Sequence, residues 1–305
     1  MADNGRGPIL IGCLCALGSE VLYGLGYLFT KQATDLAEPF ALLGWRFLAA
    51  AAGMGLCAAL GLVKLRLAGR PLWPLVKLSL VSPCLYLVGE TLGIQRTTAS
   101  ESGVLLACIP VVSLMASALL LRQRPTRRQT GGILITLAGV VVTVLAVGAS
   151  SSLSWTGYGF LVAAMGAYAL CAVLVVRAEN YASGEITLVM VFTAASVFLP
   201  LALVQAAAAG TLGDLVTLPF RSRSFRIAVL GQGLGCSILA FLLTNRALTT
   251  IGVNRTASFA GVSTVVSILA GALVLGESFT LWQGLGAAVI LLGVTLANSG
   301  APKTP

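Results

Sequence analysis

Long apolar runs, separated by short polar breaks, fill almost the whole chain and leave too few charged residues to cover a water-soluble surface. Only 10% of the 305 residues are charged and 57% are hydrophobic, whereas a soluble domain carries about 25% charged residues. Lipid must therefore surround most of the protein. A transmembrane helix takes about 20 residues, so the chain has room for about ten spans and for no sizeable soluble domain.

The chain contains ten apolar runs, each of which begins and ends near Pro, Gly or charged residues. Each run is predicted to form a transmembrane helix. The predicted spans are 8–30, 39–62, 75–95, 99–121, 130–147, 157–176, 185–207, 226–246, 253–275 and 280–298. The connections between them are short, except for a longer loop over 208–225. The predicted fold class is therefore an all-α integral membrane protein with ten transmembrane helices.

The Lys and Arg residues are unevenly shared between the two faces of the first half. The loops after the second and fourth spans carry eight of them: Lys64, Arg66, Arg70, Lys77, Arg122, Arg124, Arg127 and Arg128. The loops on the other face carry two, Lys31 and Arg96. Since cytoplasmic loops are rich in Lys and Arg, both termini are predicted to lie in the cytoplasm. In the second half, Arg221, Arg223 and Arg226 would then lie on the outer face, against this rule.

The second half of the chain repeats part of the first half at a shift of 154 residues. The shift pairs Thr126 with Thr280, Gln129 with Gln283, Gly132 with Gly286 and Gly139 with Gly293. Each half, residues 1–150 and 151–305, holds five predicted spans. Because five is odd, the two five-helix repeats must be inverted relative to each other. Transporters built from inverted repeats hold their substrate between the halves, near the middle of the membrane.

The composition also argues against several classes of partner and site. The net charge of +9 does not predict nucleic-acid binding, because the basic residues lie mostly at the ends of apolar runs, without interleaved aromatic residues. All seven cysteines fall inside apolar segments, where Cys usually packs as a small hydrophobe, and histidine is absent. We therefore expect no disulfide framework, no metal site and no cofactor. A membrane-embedded enzyme would need paired acids or a nucleophile with its base at membrane depth. Because histidine is absent, few residues could fill these roles, and the chain is predicted not to be an enzyme.

Four stretches of the chain carry a family resemblance. They are Tyr23-Gly24 followed by Lys31, Pro39-Phe40 followed by Arg46-Phe47, residues 240–248, and Leu275-Gly276-Glu277 followed by Thr280, Gln283, Gly286 and Gly293. In this order they resemble the EamA-type, ten-helix branch of the drug/metabolite transporter superfamily. The sequence departs from the family pattern at Gln123, where Glu is usual, and at Tyr23, where Trp is commoner. The resemblance implies a bacterial inner-membrane exporter of amino acids or other metabolites, and some members favour aromatic amino acids.

Three ionisable residues, Glu20, Arg46 and Glu90, are the clear cases of ionisable groups inside the membrane, where a charge costs about 2.5–3.5 kcal/mol and predicts a functional role. Glu20 shares a helix face with Tyr23 and Tyr27. These three side chains are predicted to line the substrate path, where Glu20 would recognise an ammonium group or take up a proton. The structural alternative is a buried ion pair between Glu20 and Arg46, because both lie at similar depths on adjacent antiparallel spans.

Arg46 and Glu90 each have two interpretations. Arg46 matches the arginine of the family pattern, which favours a structural role near the outer gate, but a lone cation could also hold a substrate carboxylate. Glu90 follows Tyr86 by four residues on one helix face. This pair either lines the substrate path or lies at the wetted outer end of its span.

Four more residues complete the candidate site. Gln232 could be a hydrogen-bonding group of the cavity, and Tyr168 is the predicted repeat counterpart of Tyr23. Pro110 removes a backbone hydrogen bond in the middle of the fourth span and should kink it, and Asn245 is predicted to cap or bridge helices. The predicted substrate-binding residues are Glu20, Tyr23, Tyr27, Tyr86, Glu90, Tyr168 and Gln232, and the predicted gating or structural residues are Arg46, Pro110 and Asn245.

Together these features predict a secondary transporter that exports small metabolites by alternating access. An amino acid would suit the cavity, with tyrosines for an aromatic ring, Glu20 for the ammonium group and Arg46 or helix-end amides for the carboxylate. Nucleotide sugars, organic phosphates and drug-like molecules are the alternative substrates, and a non-transporting receptor or assembly protein is the alternative class. The expected partners are this substrate and the lipid bilayer. The glycine-bearing faces of the fifth and tenth spans could make a homodimer or pack within the chain.

Overall fold

The computed structural model describes residues 6–34, 37–63, 65–67, 69–97, 105–106, 108–147, 154–275 and 280–299, except for the side chains of residues 6, 27–28, 30–34, 143–144, 146–147 and 275. Over these residues the chain forms helices and no strand, which confirms the all-α prediction there. The described helices are α1 (Arg6–Thr34), α2 (Pro39–Ala59), α3 (Trp73–Ile94), α4 (Ile109–Leu120), α5 (Arg127–Val147), α6 (Trp155–Arg177), α7 (Ser183–Ala208), α8 (Leu212–Arg221), α9 (Arg223–Ala257), α10 (Gly261–Leu275) and α11 (Leu281–Asn298).

Seven of the described helices are long and apolar enough to cross a membrane. They are α2, α3, α6, α7, α9, α11 and the Gly7–Gly26 part of α1. The helices α4 and α10 are apolar but shorter. Because about 20 helical residues cross the hydrocarbon core of a bilayer, the chain is a multi-pass membrane protein, as its composition predicts.

The longer connection predicted over 208–225 joins α7 to α9, and it contains a short helix, α8, that was not predicted from the sequence. The helix α8 buries Leu215 and exposes Leu212, Val216 and Phe220 along one side. Trp45 of α2 holds it in place, because the indole Nε1 donates to the Leu215 carbonyl oxygen at 2.9 Å. A short amphipathic helix with an exposed apolar stripe is typical of a membrane surface, and at 10 residues it is too short to span a bilayer.

Two of the arginines that break the charge rule are bound within this segment. Arg226 donates from Nη1 to the carbonyl oxygens of Pro219 and Phe220, at 3.0 and 2.9 Å. These carbonyls lie at the C-terminal end of α8, which favours a cation. Arg221 lies 3.8 Å from Asp214. These contacts give the basic residues a local structural reason that is independent of orientation.

The two halves of the chain are interleaved. α1 packs mainly against α9 and α10 and barely touches α2, although α2 follows it in sequence. α2 packs against α7 and α9, and the rings of Phe47 and Phe198 stack with their centroids 5.4 Å apart. Side chains of the first half therefore face side chains of the second half across the middle of the protein.

Among the described helices, α5 and α11 share an extensive contact. They meet at Gly132 and Gly139 on one side and Gly286 and Gly293 on the other, and we call this contact the glycine seam. A Cβ atom at Gly132 would lie 2.5 Å from the Gly293 carbonyl oxygen, and one at Gly139 would lie 2.8 Å from the Gly286 carbonyl oxygen. Only residues without a side chain allow such backbone-to-backbone packing. The glycine faces of the fifth and tenth spans thus pack against each other within the chain and do not favour a homodimer.

Two helices have irregular backbone at positions that the repeat makes equivalent. α3 is interrupted at Ser82, which has φ −148° and ψ 126°, and α9 is π-helical over Gly231–Ala240. The 154-residue shift places the irregular turn Leu80–Leu85 of α3 inside this π-helical segment. π-turns are frequent at functional sites, and irregular backbone at membrane depth is tolerated only inside protein or beside a cavity.

Pro110 lies at the start of a described helix. The described helix α4 begins at Ile109, so Pro110 lies in its first turn, and residues 105–106, which are also helical, precede it. A missing N–H group costs nothing there, because the first N–H groups of a helix have no acceptor within it. The predicted kink concerns the span 99–121, of which residues 99–104 and 107 lie outside the described residues, so it stays a prediction.

Candidate functional site

Polar side chains from six helices meet between the two halves of the chain. They are Glu20 and Tyr23 of α1, Arg46 of α2, Tyr86 and Glu90 of α3, Tyr168 of α6, Gln232, Ser237 and Thr244 of α9, and Ser263 of α10. We call this set the central cluster. Six of its members are among the residues that the sequence singles out for their charge or for a tyrosine in an apolar span.

Glu20 is buried, with 8% of its surface exposed, and its carboxyl group lies near the Ser263 hydroxyl. That hydroxyl also lies 2.7 Å from the Ala260 carbonyl oxygen, to which it can donate. A hydroxyl has one proton to donate and can also accept. Ser263 can therefore donate to a charged Glu20, or accept from a protonated Glu20 while it donates to Ala260.

The alternative in which Glu20 pairs with Arg46 is wrong. The Arg46 guanidinium is directed at α9, where Nε donates to Ser237 Oγ at 2.7 Å and Nη1 donates to Gln232 Oε1 at 3.0 Å. Glu20 and Arg46 do not meet, because α1 packs against α9 and α10 and makes little contact with α2. Both acceptors that the structure gives Arg46 are neutral.

Tyr23 links α1 to α9, because its hydroxyl lies 3.3 Å from Thr244 Oγ1. Tyr27 lies one turn further along α1, but its side chain is outside the described residues. Of the two tyrosines on this face of α1, Tyr23 is therefore the one whose contact with the central cluster is described.

Glu90, Tyr86 and Tyr168 form the aromatic part of the cluster. The Tyr86 hydroxyl donates to Glu90 Oε1 at 2.6 Å. The Tyr86 and Tyr168 rings meet edge to face, with centroids 5.6 Å apart and planes at 60°, a favoured geometry for aromatic pairs. Tyr86 follows the irregular turn of α3 directly, so the break in the helix determines where this tyrosine and Glu90 lie.

The members of the cluster also act on one another electrostatically. Arg46 lies close enough to Tyr23 and Glu90 for an electrostatic interaction, and Glu20 also lies within range of Tyr23 and Tyr168. Electrostatic interactions are stronger in a protein interior than in water because the effective dielectric constant is lower. The cluster therefore presents one cation and two carboxyl groups among aromatic rings.

Two other predicted residues are bound to neighbouring helices. Asn245 is 2% exposed, and its Nδ2 donates to Thr187 Oγ1 at 3.0 Å and lies 3.4 Å from Met190 Sδ, so it bridges α9 and α7. Gln232 is also 2% exposed, and its carboxamide oxygen accepts from Arg46. In the structure, the carboxamide oxygen of Gln232 therefore binds Arg46, in addition to any hydrogen bond that Gln232 makes with a substrate.

Three hydroxyl residues of the site were not predicted from the sequence: Ser237, Thr244 and Ser263. Ser and Thr are ordinary in membrane helices because their hydroxyls can bond the backbone of the preceding turn, so they do not stand out as charged residues do. The one available signal is that Ser237 follows Gln232 by five residues in a glycine-rich run.

Two further features of the described residues bear on ligand binding. Among the described residues, no group of three or more His, Cys, Asp and Glu side chains lies close enough to hold a metal ion. A cavity of about 550 Å³ opens at the ends of α2, α7 and α8, with Glu38, Gln205, Asp214 and Arg221 among its lining residues. It contains none of the residues of the central cluster.

Comparison with known proteins gives a consistent result. The pattern of the EamA-like transporter family matches residues 10–145 and again residues 155–299. An uncharacterized transporter of Bacillus subtilis, YcxC, is 30% identical over 293 residues, which cover 95% of this chain and 93% of that protein. An uncharacterized inner membrane transporter of Escherichia coli, YhbE, is 30% identical over 138 residues, which cover 43% of this chain and 42% of that protein.

A solved crystal structure of another protein has the same fold. It superposes with a TM-score of 0.77 and covers 94% of this chain and 96% of that one, at 19% sequence identity. At this identity the likeness concerns the fold alone.

Proposed function

Because this chain belongs to the EamA-like transporter family, we propose that it is a secondary transporter that exports amino acids with aromatic or large neutral side chains. Its membership of that family makes it a membrane transporter, and the central cluster supports the narrower substrate class. Arg46 matches a carboxylate, Glu20 and Glu90 match an ammonium group, and the Tyr86–Tyr168 pair matches an aromatic ring. The single observation that carries the proposal is this meeting of opposite charges and tyrosines between the two halves.

The proposed architecture is ten transmembrane helices in two inverted five-helix repeats, 1–150 and 151–305. The glycine seam supports it, because the contact of Gly132 with Gly293 and that of Gly139 with Gly286 exchange with each other under the 154-residue shift. Thr136 hydrogen-bonds to the Ile290 carbonyl oxygen, and these residues are themselves 154 apart. Contacts of this kind are expected around a two-fold axis that relates inverted repeats.

The proposed location is the bacterial inner membrane, with both termini in the cytoplasm. The Lys and Arg bias of the first half supports the orientation, and the likeness to the inner membrane transporter of Escherichia coli supports the membrane. Transport would proceed by rocking of the two halves around the central cluster. A proton gradient could act through Glu20, whose contact with Ser263 suits both protonation states, and facilitated diffusion would need no such group.

The alternative substrates fit the cluster less well. Nucleotide sugars and organic phosphates call for several cations around the phosphate groups. Within the described part of the central cluster, Arg46 is the one cation. A drug-like cation would leave Arg46 without a counter-charge.

The test is uptake of a panel of labelled amino acids into proteoliposomes, with and without a pH gradient. We expect saturable uptake of aromatic amino acids, which Glu20→Gln lowers about ten-fold or more, because hydrogen bonds to charged groups contribute about 1.5–3 kcal/mol. The matched control is Glu179→Gln at an exposed position outside the cluster, which should transport like the wild type. Absence of uptake for every amino acid would refute the substrate class, while an unaffected Glu20→Gln variant would remove Glu20 from the site.

A further inference from the structure

We infer that Arg46 is the receptor for the substrate carboxylate, and that the carboxylate displaces Gln232 and Ser237 from Arg46 and thereby releases the π-helical segment of α9. The inference rests on the proposed function, because it assumes a substrate that bears a carboxylate. It adds a role for the irregular backbone of α9 and a reason for the pair of neutral acceptors on Arg46.

The first step concerns the charge of Arg46. Its guanidinium lies within a membrane-spanning helix and donates to two neutral oxygens, Ser237 Oγ and Gln232 Oε1. A guanidinium has five N–H donors in a planar fork, which matches a carboxylate bidentately and more strongly than it matches neutral acceptors. An incoming carboxylate is therefore a better partner for Arg46 than either acceptor it now has.

The second step concerns the spacing of the two acceptors. Gln232 and Ser237 are five residues apart within the π-helical segment Gly231–Ala240. In an α-helix of 3.6 residues per turn, residues five apart point about 140° away from each other, whereas a π-helix joins residues five apart in one turn. One guanidinium can hold both side chains because the backbone between them is π-helical.

The third step concerns the contact of the segment with α2. A Cβ atom at Gly233 would lie 2.9 Å from the carbonyl oxygen of Arg46 itself. The backbone of the π-helical segment therefore packs against the backbone of Arg46, and the side chain of Arg46 hydrogen-bonds to the same segment. Without the two hydrogen bonds to Arg46, this segment can change from a π-helix to an α-helix. The α-helix is the favoured conformation, since long π-helices are rare.

The inference fits alternating access. With an empty site, Arg46 fastens α9 of the second half to α2 of the first half. With a carboxylate bound, the same guanidinium holds the substrate and α9 is released. Substrate binding and the movement of the two halves would be coupled through one side chain.

The experiment compares phenylalanine with phenylalaninamide, which keeps the ring and the ammonium group and lacks the carboxylate, by calorimetry on the purified protein. The wild type should bind the acid about ten-fold or more tightly than the amide, and Arg46→Gln should abolish this preference by weakening acid binding alone. Arg46→Lys keeps the charge without the fork and should give an intermediate preference.

Ser237→Ala separates this role from a purely structural one. It removes an internal competitor of the carboxylate, so it should strengthen acid binding about two-fold to five-fold relative to amide binding. A merely structural Arg46 predicts that Ser237→Ala weakens both ligands equally or changes neither. Hydrogen–deuterium exchange of residues 231–240 adds an independent readout, because phenylalanine should raise exchange in this segment and the amide should not.

The outcomes distinguish the two levels of the argument. If the wild type binds neither ligand, the proposed function fails and this inference fails with it. If the wild type binds phenylalanine but Arg46→Gln keeps the preference for the acid, or Ser237→Ala weakens acid binding relative to amide binding, the inference about Arg46 fails while the proposed function stands.

Discussion

The glycine seam and the central cluster are built in opposite ways. At the seam, two regular helices touch backbone to backbone, so that Gly132 and Gly293 leave no side chain between them. In the central cluster, α3 and α9 depart from regular helix geometry, and hydrogen bonds between side chains, such as that of Arg46 with Ser237, cross from one helix to another.

The difference shows how one chain can combine a fixed contact with an adjustable one. Backbone packing at the seam cannot be exchanged for contacts with a small molecule. The polar contacts of the cluster can, because replacing one hydrogen-bond partner by another costs little, provided that no buried group is left unpaired. We interpret the seam as the part that stays together during transport and the cluster as the part that changes partners.

The largest effect is expected at the seam. Gly132→Ala would place a methyl group against the Gly293 carbonyl oxygen and the Ala297 nitrogen, force α5 and α11 apart and destabilise the protein by about 2–3 kcal/mol. The neighbouring change Gly131→Ala is the control, because a Cβ atom there has nothing within 4 Å. Thermal unfolding of both variants in detergent checks the prediction. Equal stability of the two would show that the seam is not a tight contact.

A smaller effect, on transport and not on folding, is expected from the π-helical segment. Gly233→Ala should push this segment away from the carbonyl oxygen of Arg46 and lower the uptake rate about ten-fold, the cost of one or two weakened hydrogen bonds. Gly235→Ala lies in the same segment with nothing within 4 Å of its Cβ position and should transport like the wild type. The comparison of seam and cluster breaks if Gly233→Ala unfolds the protein as Gly132→Ala does, because α9 would then be a second rigid contact.

The smallest effect is expected from Tyr86→Phe, which keeps the ring beside Tyr168 and removes the hydroxyl that donates to Glu90. One hydrogen bond contributes about 0.5–1.5 kcal/mol, so the KM for an aromatic amino acid should rise about two-fold to ten-fold. Tyr181→Phe removes a hydroxyl that donates to the Pro71 carbonyl oxygen at 2.6 Å, outside the cluster, and serves as the control. Equal KM values for both variants would take Tyr86 out of the substrate path.

Much of the candidate site could be predicted from the sequence, for a simple physical reason. A charge or a tyrosine hydroxyl in an apolar span must avoid lipid, and Glu20, Tyr23, Arg46, Tyr86 and Glu90 do lie together in the structure. The hydroxyls of Ser237, Thr244 and Ser263 gave no such signal, because a hydroxyl is cheap to place in any membrane helix.

The partners of these residues could not be predicted. The sequence left open an ion pair between Glu20 and Arg46, since the two lie at similar depths on consecutive spans. In the structure their partners are Ser263 and the pair Gln232 and Ser237. A sequence pattern gives the depth of a residue in the membrane and the helix face that it occupies, but not the helix that this face meets.

By itself, the sequence determined that lipid is the main solvent of this protein, that its backbone is helical, and that charged side chains within its spans must face other protein. Only the tertiary structure decided which helices are neighbours, that α1 meets α9 and α10 before α2, and that α9 is π-helical beside Arg46. Apolar content cannot make that choice, because lipid and another apolar helix are equally good neighbours for a leucine. Close backbone approach and hydrogen bonds between side chains select the neighbours of a membrane helix, and both exist only once the helices have packed.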